Sequence, residues 1–345
     1  MFYTENEIMA QHEALKETFT YFMQEKPRIE QFFSEYPKRK FTILGCGSSY
    51  MLAKSAQRAF SRYEDTSAIA VAGGDFLINR DLYAAFVKDS IVITLSRSGM
   101  TTEIVRAVEF IKDNYGCPVV SISMLKENDV SKFSDLELTM DWCYDKSVCQ
   151  TRTVTNLYAA VLMMAGFYGG DMDLVYNLRI TIEENELMKK TYRPKLAALA
   201  ELEWNNAVTL SDGIPCGIAE EGALAFTEIA RIPGRYSNVL DYRHGPMVLN
   251  DCKTMNLVLI KPGNNELQKG FLEDLKAKGG KIITVSCDKN NIYGSDLHIF
   301  AGESVRFETW GIVFIGIIQM LAYEKAIVKG CNPDLPEGLD PYIVL

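Results

Sequence analysis

The sequence predicts an α/β protein built from two related halves, each with a parallel β-sheet and covering helices. Short apolar segments rich in Val and Ile alternate along the chain with segments of helical periodicity, a pattern typical of parallel sheets. The order of these segments in the first half recurs in the second half. With 345 residues, the chain is also longer than one hydrophobic core usually serves.

The first half begins with a predicted helix over residues 5–35, which we expect to end before Pro37. A second helix is predicted over 102–116, where a glycine can cap its C-terminus. Strands are predicted in five apolar segments: FTILGCG (41–47), AIAVAGGDF (68–76), SIVITLS (90–96), CPVVSISM (117–124) and LELTMDW (136–142).

Two segments of the second half resemble segments of the first. GIPCGIAEEGALAFTEIARI (213–232) is similar to the glycine-bounded strand and helix at 41–60. Residues 254–286 follow the order strand, polar turn, helix, Gly, strand that also occurs at 89–123. We therefore predict an N-terminal helical segment (1–35), a first α/β domain (36–170), a helical linker (171–199), a second α/β domain (200–330) and a C-terminal tail (331–345).

Composition excludes several classes of partner. The formal net charge of −9 argues against nucleic acid, whose binding depends on clustered Lys and Arg. The N-terminus lacks the basic and apolar regions of a signal peptide, and the apolar stretches 157–168 and 311–323 are shorter than the ~20 residues of a membrane span. We therefore expect a cytoplasmic protein without a membrane partner. Its eight cysteines, none in a C-x-x-C pair, are expected to be buried reduced thiols rather than zinc ligands or disulfides.

Hydroxyl side chains are concentrated where two predicted strands meet the helices that follow them. Ser48 and Ser49 come directly after GCG, and the stretch SRSGMTT (96–102) follows the strand that ends at Leu95. Unpaired N–H groups and the positive end of the helix dipole make such turns suitable for phosphate. The two turns can bind one ligand only if their strands lie close together, and simple N-capping is the alternative role.

Two nucleotide-binding motifs are excluded at the same turns. The dinucleotide fingerprint needs a third small residue for close helix packing, and Tyr50 stands there instead. No glycine loop is followed by the GK[ST] of a Walker A motif. An anion other than a nucleotide is therefore the better hypothesis.

These motifs carry a resemblance to a known family. GCGSSY, followed 48 residues later by LSRSGMTTE, resembles the sugar isomerase (SIS) family of phosphosugar-binding domains. The duplicated arrangement is similar to the isomerase half of glutamine–fructose-6-phosphate aminotransferase and its ketosamine-phosphate deglycase relatives, as is EEGALAFTEIARIPGRYSNVLDYRHGP (220–246). The resemblance implies two flavodoxin-like, three-layer αβα halves.

The resemblance also implies a set of site residues. The family's phosphate contacts match Ser48, Ser49, Ser96, Ser98 and Thr101, while Arg97 stands where the aminotransferase group usually has glutamine and Met100 where it has glutamate. Arg97 then either adds charge to the phosphate or faces outward. Sugar contacts are implied for Gly47, Val148 and Gln150; Glu221 either supports the site or caps its helix.

Glu228 matches the family's enolising base, and His244 matches the histidine that assists ring opening. Interconversion of ketose and aldose moves a proton between C1 and C2, a task that suits a carboxylate, and a histidine titrates near neutrality. The alternatives are a solvated glutamate on an amphipathic helix and a structural histidine beside a Gly-Pro turn. Family members pair as dimers in which the histidine reaches into the neighbour's site, so we expect at least a homodimer.

Departures from the aminotransferase pattern argue against one reaction of this family, the glutamine-dependent synthesis of an amino sugar. Ala225 stands where those enzymes carry a lysine one turn before the base, and Asp340 and Pro341 occupy the tail where they carry another. We also expect no glutaminase domain before the SIS halves, and so no glutamine-dependent synthesis.

The expected function is therefore deglycation of a ketosamine 6-phosphate or isomerisation of an amino-sugar phosphate, with the C-terminal tail over the active site. No metal or organic cofactor is implied. A non-catalytic sugar-phosphate sensor is the alternative.

Overall fold

The computed structural model describes residues 2–263 and 265–339, with only the backbone described for Asn265. These residues form two compact units. We call residues 13–145 and 152–176 the first-sheet unit, and residues 2–12, 146–151 and 177–339 the second-sheet unit. Asp340 and Pro341, where the tail differs from the aminotransferase pattern, lie outside the described residues.

The first-sheet unit contains a five-stranded parallel sheet in the order β2-β1-β3-β4-β5. This order places the topological switch point between β1 and β3, as in flavodoxin-like folds. The strands are β1 (Lys40–Gly45), β2 (Ser67–Ala72), β3 (Ile91–Leu95), β4 (Val119–Ser123) and β5 (Leu136–Thr139). After α1 (Tyr3–Met9), the helices of this part of the chain are α2 (Gln11–Glu35), α3 (Ser48–Ser61), α4 (Gly73–Ile78), α5 (Arg80–Val87), α6 (Thr102–Tyr115) and α7 (Arg152–Gly169).

The core of this unit explains why its central strands are continuous apolar runs. β3 and β4 are buried at every position, as expected for a parallel sheet covered on both faces. The apolar stripe of α6, which includes Ile104 and Val108, packs with Val92 of β3 in one cluster. The rings of Phe41 and Phe60 pack against Tyr168 of α7.

The second-sheet unit repeats this topology, with the strand order β10-β9-β8-β6-β7. Its strands are β6 (Asn206–Leu210), β7 (Gly234–Ser237), β8 (Thr254–Leu259), β9 (Lys281–Ser286) and β10 (Leu297–Phe300). Its helices are α1, most of α8 (Met172–Ala200), α9 (Cys216–Glu228), α10 (Asn265–Ala277) and α11 (Trp310–Lys329), with 3₁₀ turns at Asp241–His244 and Pro246–Leu249. The predicted fold class, two α/β halves with parallel sheets, is confirmed.

Several predicted elements differ from those observed. The long N-terminal helix is interrupted at Ala10, the segment 68–76 is a strand only to Ala72, and the segment 136–142 is a strand only to Thr139. The first strand of the second sheet lies at Asn206–Leu210, before the segment 213–232 in which we expected it. α4 begins at Gly73, where a side chain would overlap Ile104.

Burial corrects two further expectations. The apolar stretch 311–323 lies in α11, which has 20 residues, so the prediction that it is too short to span a membrane was wrong. The most apolar part of this helix is nevertheless 83% buried inside the fold, as in the core helix of a globular unit. All eight cysteines are free thiols, but only four of them are buried: Cys46 and Cys331 are half-buried, and Cys252 and Cys287 are exposed.

Candidate functional site

The two hydroxyl-rich turns of the first-sheet unit begin at the same edge of its sheet. β1 and β3 are adjacent and parallel, so the turns after Gly45 and Leu95 start about 5 Å apart. The first turn leads into α3 and the second into α6, so two helix N-termini face this edge. The condition that the sequence left open, that the two strands be close, is therefore met.

The side chains of these turns are buried although they are polar. Ser48, Ser49, Ser96 and Ser98 are each 6% exposed or less. Arg97 is 5% exposed and lies over the Tyr144 ring, with the guanidinium carbon 5.7 Å from the ring centroid. The outward-facing alternative for Arg97 is thus ruled out by its burial.

Hydrogen bonds within the second turn orient its hydroxyl groups. The N–H of Gly99 donates to Ser96 Oγ at 2.9 Å, and the N–H of Met100 donates to Ser98 Oγ at 3.1 Å. Each serine therefore uses its oxygen as an acceptor and keeps its own proton for donation. Thr101 precedes α6 without a side-chain capping bond. Simple N-capping accordingly does not explain the hydroxyls at this turn.

Two glycines give the turns their backbone shape. Gly47 has φ +54°, and Gly99 has φ +64°, values that L side chains rarely adopt. A Cβ on Gly99 would also overlap the side chain of Asn128. The space around a Cβ on Gly47 is open, so only its backbone conformation favours glycine there.

Sequence reasoning missed Asn128, which supports the second turn from the next strand connection. It is buried, accepts hydrogen bonds from the N–H groups of Val130 and Ser131 at 3.1 Å, and donates to Leu125 O at 2.8 Å. In the sequence, Asn128 is only a polar residue that follows a buried strand. Its contact with Gly99 could not be predicted, because it depends on the pairing of β3 with β4.

Cys46, between the two glycines of GCG, is a neutral neighbour of these turns. Burial raises the pKa of its thiol to about 11, with a further rise from the nearby Glu103 carboxylate, against weaker lowering by the N–H groups of Gly73 and Gly74. The thiol therefore stays protonated at neutral pH and does not add a negative charge beside the anion site.

The other predicted site residues belong to the second-sheet unit. Glu221 and Glu228 lie on one face of α9 because seven residues make two helical turns. Glu221 is buried and Glu228 is partly exposed. Ala225, where the aminotransferase group has lysine, is buried between them.

His244 ends the 3₁₀ turn Asp241–His244 and is exposed. Gly245 follows with φ +140°, and the next 3₁₀ turn carries the exposed apolar side chains of Val248 and Leu249. The imidazole of His244 is therefore accessible from solvent.

Val148 and Gln150 lie in the loop Lys146–Thr151. The N–H of Val148 donates to Asp334 O at 3.0 Å. The side-chain oxygen of Gln150 is buried and has no hydrogen-bond partner among residues 2–263 and 265–339. Across the same residues, no group of three or more His, Cys, Asp or Glu side chains could hold a metal ion.

Comparison with known proteins identifies the domain that carries the hydroxyl-rich turns. The family model described as "SIS domain" matches residues 36–165. These residues are a SIS domain. The matched range includes both turns of the site and all five strands of the first sheet.

Curated proteins that match nearly the whole of this chain include glutamine–fructose-6-phosphate aminotransferases [isomerizing]. The enzyme of Sulfurisphaera tokodaii is 25% identical over 340 residues, covering 96% of this chain and 55% of the relative. The enzyme of Escherichia coli K12 is 25% identical over 358 residues, covering 98% and 58%. The chain thus spans little more than half the length of these relatives.

Several solved structures share the fold of this chain. They include the C-terminal domain of glucosamine-fructose-6-phosphate aminotransferase from Francisella tularensis (TM-score 0.83, 20% identity, 97% of this chain and 98% of that one). Others are tagatose-6-phosphate ketose/aldose isomerase from Escherichia coli (0.86, 20%, 99% and 95%) and glucosamine-6-phosphate deaminase from Thermotoga maritima (0.82, 23%, 99% and 100%). At these identities the likeness establishes the fold.

Proposed function

We propose that this chain is an enzyme that binds a sugar phosphate and moves a proton between its carbon atoms. The observation that carries the proposal is the cluster of buried hydroxyl donors at the β1 and β3 turns. Burying hydroxyl groups costs free energy unless they are hydrogen-bonded, so protons left for donation at a ligand-binding edge favour an anionic ligand. The aligned helix N-termini of α3 and α6 add a positive potential.

Electrostatics favours a monoester phosphate at this place. The chain carries a net charge of −9, so an anion must be held by local groups. Ser48, Ser49, Ser96, Ser98 and Thr101 supply neutral donors, and the buried Arg97 supplies one cation close to the same turn. An arginine in place of the glutamine that the aminotransferase group usually has would strengthen phosphate binding through a charged donor.

The proposed reaction is deglycation of a ketosamine 6-phosphate or aldose–ketose isomerisation of an amino-sugar phosphate. The carboxylate of Glu228 removes the proton from the carbon beside the carbonyl or imine, and returns it to the adjacent carbon as the double bond moves. His244 transfers the proton that opens the sugar ring, or protonates the leaving nitrogen. Support comes from the match of both residues to the SIS family and from the names of the structural neighbours.

Aminotransferase chemistry is not proposed, because Ala225 provides no amine where the similar aminotransferases carry a lysine. A methyl group at this position can neither form an imine with a ketose nor stabilise an enolate by charge. Isomerisation needs only the proton transfers that Glu228 and His244 supply. Deglycation needs one water molecule in addition: the proton shift forms an imine at C1, water adds to it, and the amine leaves as the aldose phosphate forms.

A homodimer is part of the proposal. His244 is exposed at the end of its turn, and Val248 and Leu249, five residues or fewer away, expose 78% and 56% of their surface. Exposed apolar side chains beside a candidate catalytic histidine favour burial against a second copy of the chain. In such a dimer the histidine of one copy would serve the substrate bound to the other.

A thermal-shift screen tests the proposed function. The purified protein is heated with 6-phosphorylated ketosamines, hexoses and hexosamines, with the same sugars lacking phosphate as controls. We expect Tm to rise with at least one phosphorylated sugar and with no unphosphorylated one, since a ligand that binds the native state stabilises it in proportion to occupancy. The stabilising sugar is then assayed for turnover. A protein that no sugar phosphate stabilises would contradict the proposal.

A further inference from the structure

A cavity of about 230 Å³ lies in the second-sheet unit, lined by α8, by the turn that follows β10 and by Val313 of α11. Two small residues of the turn, Ala301 and Gly302, leave this space where the chain departs from the sheet. Leu187 of α8 lines the cavity and exposes 71% of its surface, so the cavity opens to solvent. The described residues that line it include none of the site residues named above.

Two hydrogen bonds tie the turn to α8. The N–H of Phe300 donates to the hydroxyl oxygen of Tyr192 at 3.1 Å, and the N–H of Glu303 donates to Glu184 Oε2 at 3.0 Å. Gly302 has φ +102°, and a Cβ there would overlap Glu184 Oε2, so this close approach requires glycine. Eight residues separate Glu184 from Tyr192, or about 12 Å along the helix. The cavity therefore has a carboxylate and a phenol well apart on one wall.

The surface between these two polar groups is largely apolar, formed by Leu187, Met188, Phe300, Ala301 and Val313. Apolar walls with a few polar groups are typical of small-molecule sites, and a methionine side chain adapts to the shape of a ligand. An apolar cavity of about 150 Å³ holds benzene, so 230 Å³ accommodates an aromatic ring with a short side chain, about ten non-hydrogen atoms.

Both polar groups keep hydrogen-bonding capacity for a ligand. Tyr192 uses its oxygen as an acceptor, and its hydroxyl proton has no acceptor among residues 2–263 and 265–339. Glu184 Oε1 has no donor in the same part of the chain, because its single hydrogen bond there is made by Oε2. The cavity thus offers a donor at one place and a charged acceptor at another.

Charge favours a cation beside Glu184. The neighbouring Glu303 carboxylate is paired with Lys289 Nζ at 2.8 Å, whereas Glu184 has no ion pair with any residue that the structure describes. Glu303 raises the pKa of Lys289, and the Glu184 carboxylate adds a smaller rise, so one ammonium lies in the field of two carboxylates. One negative charge is left uncompensated there. Near the phenol, Lys195 Nζ lies 5.3 Å from the centroid of the Tyr192 ring, which favours an acceptor instead.

We propose that this cavity is a second ligand site, which takes a small aromatic compound that carries an ammonium group. The ammonium donates to Glu184 Oε1, and the ring lies against Met188 and Phe300. A hydroxyl group at the far end of the ring accepts from the Tyr192 hydroxyl. This inference goes beyond the proposed function, and the site lies wholly within one unit of the chain.

Three probes of similar size separate charge from apolar burial. Titration calorimetry at pH 7 compares 2-phenylethylamine, which is a cation, with neutral 2-phenylethanol and anionic phenylacetate. We expect the amine to bind at least about tenfold more tightly than the other two, because only its ammonium makes a charge-assisted bond with Glu184. Tyramine, which adds a hydroxyl to the ring, should bind about fivefold more tightly than 2-phenylethylamine.

Two variants assign these preferences to the cavity. Glu184→Gln keeps an oxygen for the N–H of Glu303, and should weaken the amine about tenfold while leaving 2-phenylethanol within about twofold. Glu183→Gln is the matched control, since Glu183 is an exposed neighbour on α8 paired with Arg179, and it should change neither Kd. Tyr192→Phe should remove the advantage of tyramine and leave 2-phenylethylamine unchanged.

Several results would overturn the inference. They are a wild-type protein that binds no amine, equal or tighter binding of 2-phenylethanol or phenylacetate, and a Kd for the amine that Glu184→Gln leaves unchanged. A loss of affinity in Glu183→Gln equal to that in Glu184→Gln would also overturn it, because the amine would then respond only to the charge of the helix surface. None of these results bears on sugar-phosphate binding, which the thermal-shift screen measures separately.

Discussion

Leu44 of β1 and Thr94 of β3 lie opposite each other in the register of two adjacent parallel strands. Both strands end one residue later, at Gly45 and Leu95. Because parallel strands share their direction, the two hydroxyl-rich turns emerge side by side at the carboxyl edge, at the switch point of the sheet. This pairing turns two separate sequence motifs into one candidate anion site.

The serines of the second turn are expected to be needed for sugar-phosphate binding. Ser96→Ala and Ser98→Ala each remove a donor to an anion, worth about 1.5–3 kcal/mol, so Kd should rise about 10- to 100-fold. Titration calorimetry with the sugar phosphate found in the screen measures this. Ser121→Ala is the control, because Ser121 is equally buried on β4 but lies outside the turn. An unchanged Kd in both turn variants would remove these serines from the site.

Gly99 is expected to be required for the shape of the same turn. Gly99→Ala introduces strain at φ +64°, of roughly 1 kcal/mol, and a clash with Asn128 that must move the turn. Gly116→Ala is a matched control, since Gly116 has φ +62° at the other end of α6 with open space around its Cβ position. Both variants should lower Tm, and only Gly99→Ala should also weaken the sugar phosphate. Equal affinities in the two variants would contradict the role of this turn.

Glu228→Gln is expected to abolish turnover while leaving binding intact. The amide keeps the size of the side chain but cannot accept the carbon-bound proton, so kcat should fall about 10²- to 10⁴-fold with little change in Kd. Glu220→Gln, on the same helix, controls for the loss of a charge on α9. Full activity of Glu228→Gln would exclude this residue as the base. Tight binding by a wild-type protein that turns over no phosphosugar would point instead to a sensor.

Mixed dimers test whether His244 acts in the neighbouring copy. Glu228→Gln and His244→Ala are each expected to be inactive alone. If the histidine acts across the dimer, refolding or exchanging equal amounts should restore about a quarter of wild-type activity, because one site of each mixed dimer has both residues intact. No recovery in mixtures shown by mass to contain mixed dimers would mean that the histidine acts within its own copy. A monomer in solution would contradict the homodimer.

Local patterns in the sequence were sufficient for most elements of the first sheet. Runs such as IVITL and VVSIS are buried on both faces, so their apolar character is continuous and easily recognised. The short edge strands β7 and β10 were not predicted. β7 has no fully buried position, so it carries no apolar pattern; β10 is buried at alternate positions, as the predicted strand β5 is. β6 was placed too late in the chain, since the following glycines in GIPCG resemble the end of a strand.

The sequence by itself determined the fold class, the SIS resemblance and the hydroxyl-rich turns, because each depends on residues within a few positions of one another. Only the tertiary structure decided that the two turns adjoin, that Arg97 is buried, and that Tyr192 bonds to a residue 108 positions away. These facts depend on strand order and on packing between elements far apart in the chain. Local periodicity carries no information about either, because both are set by how a whole unit buries its apolar surface.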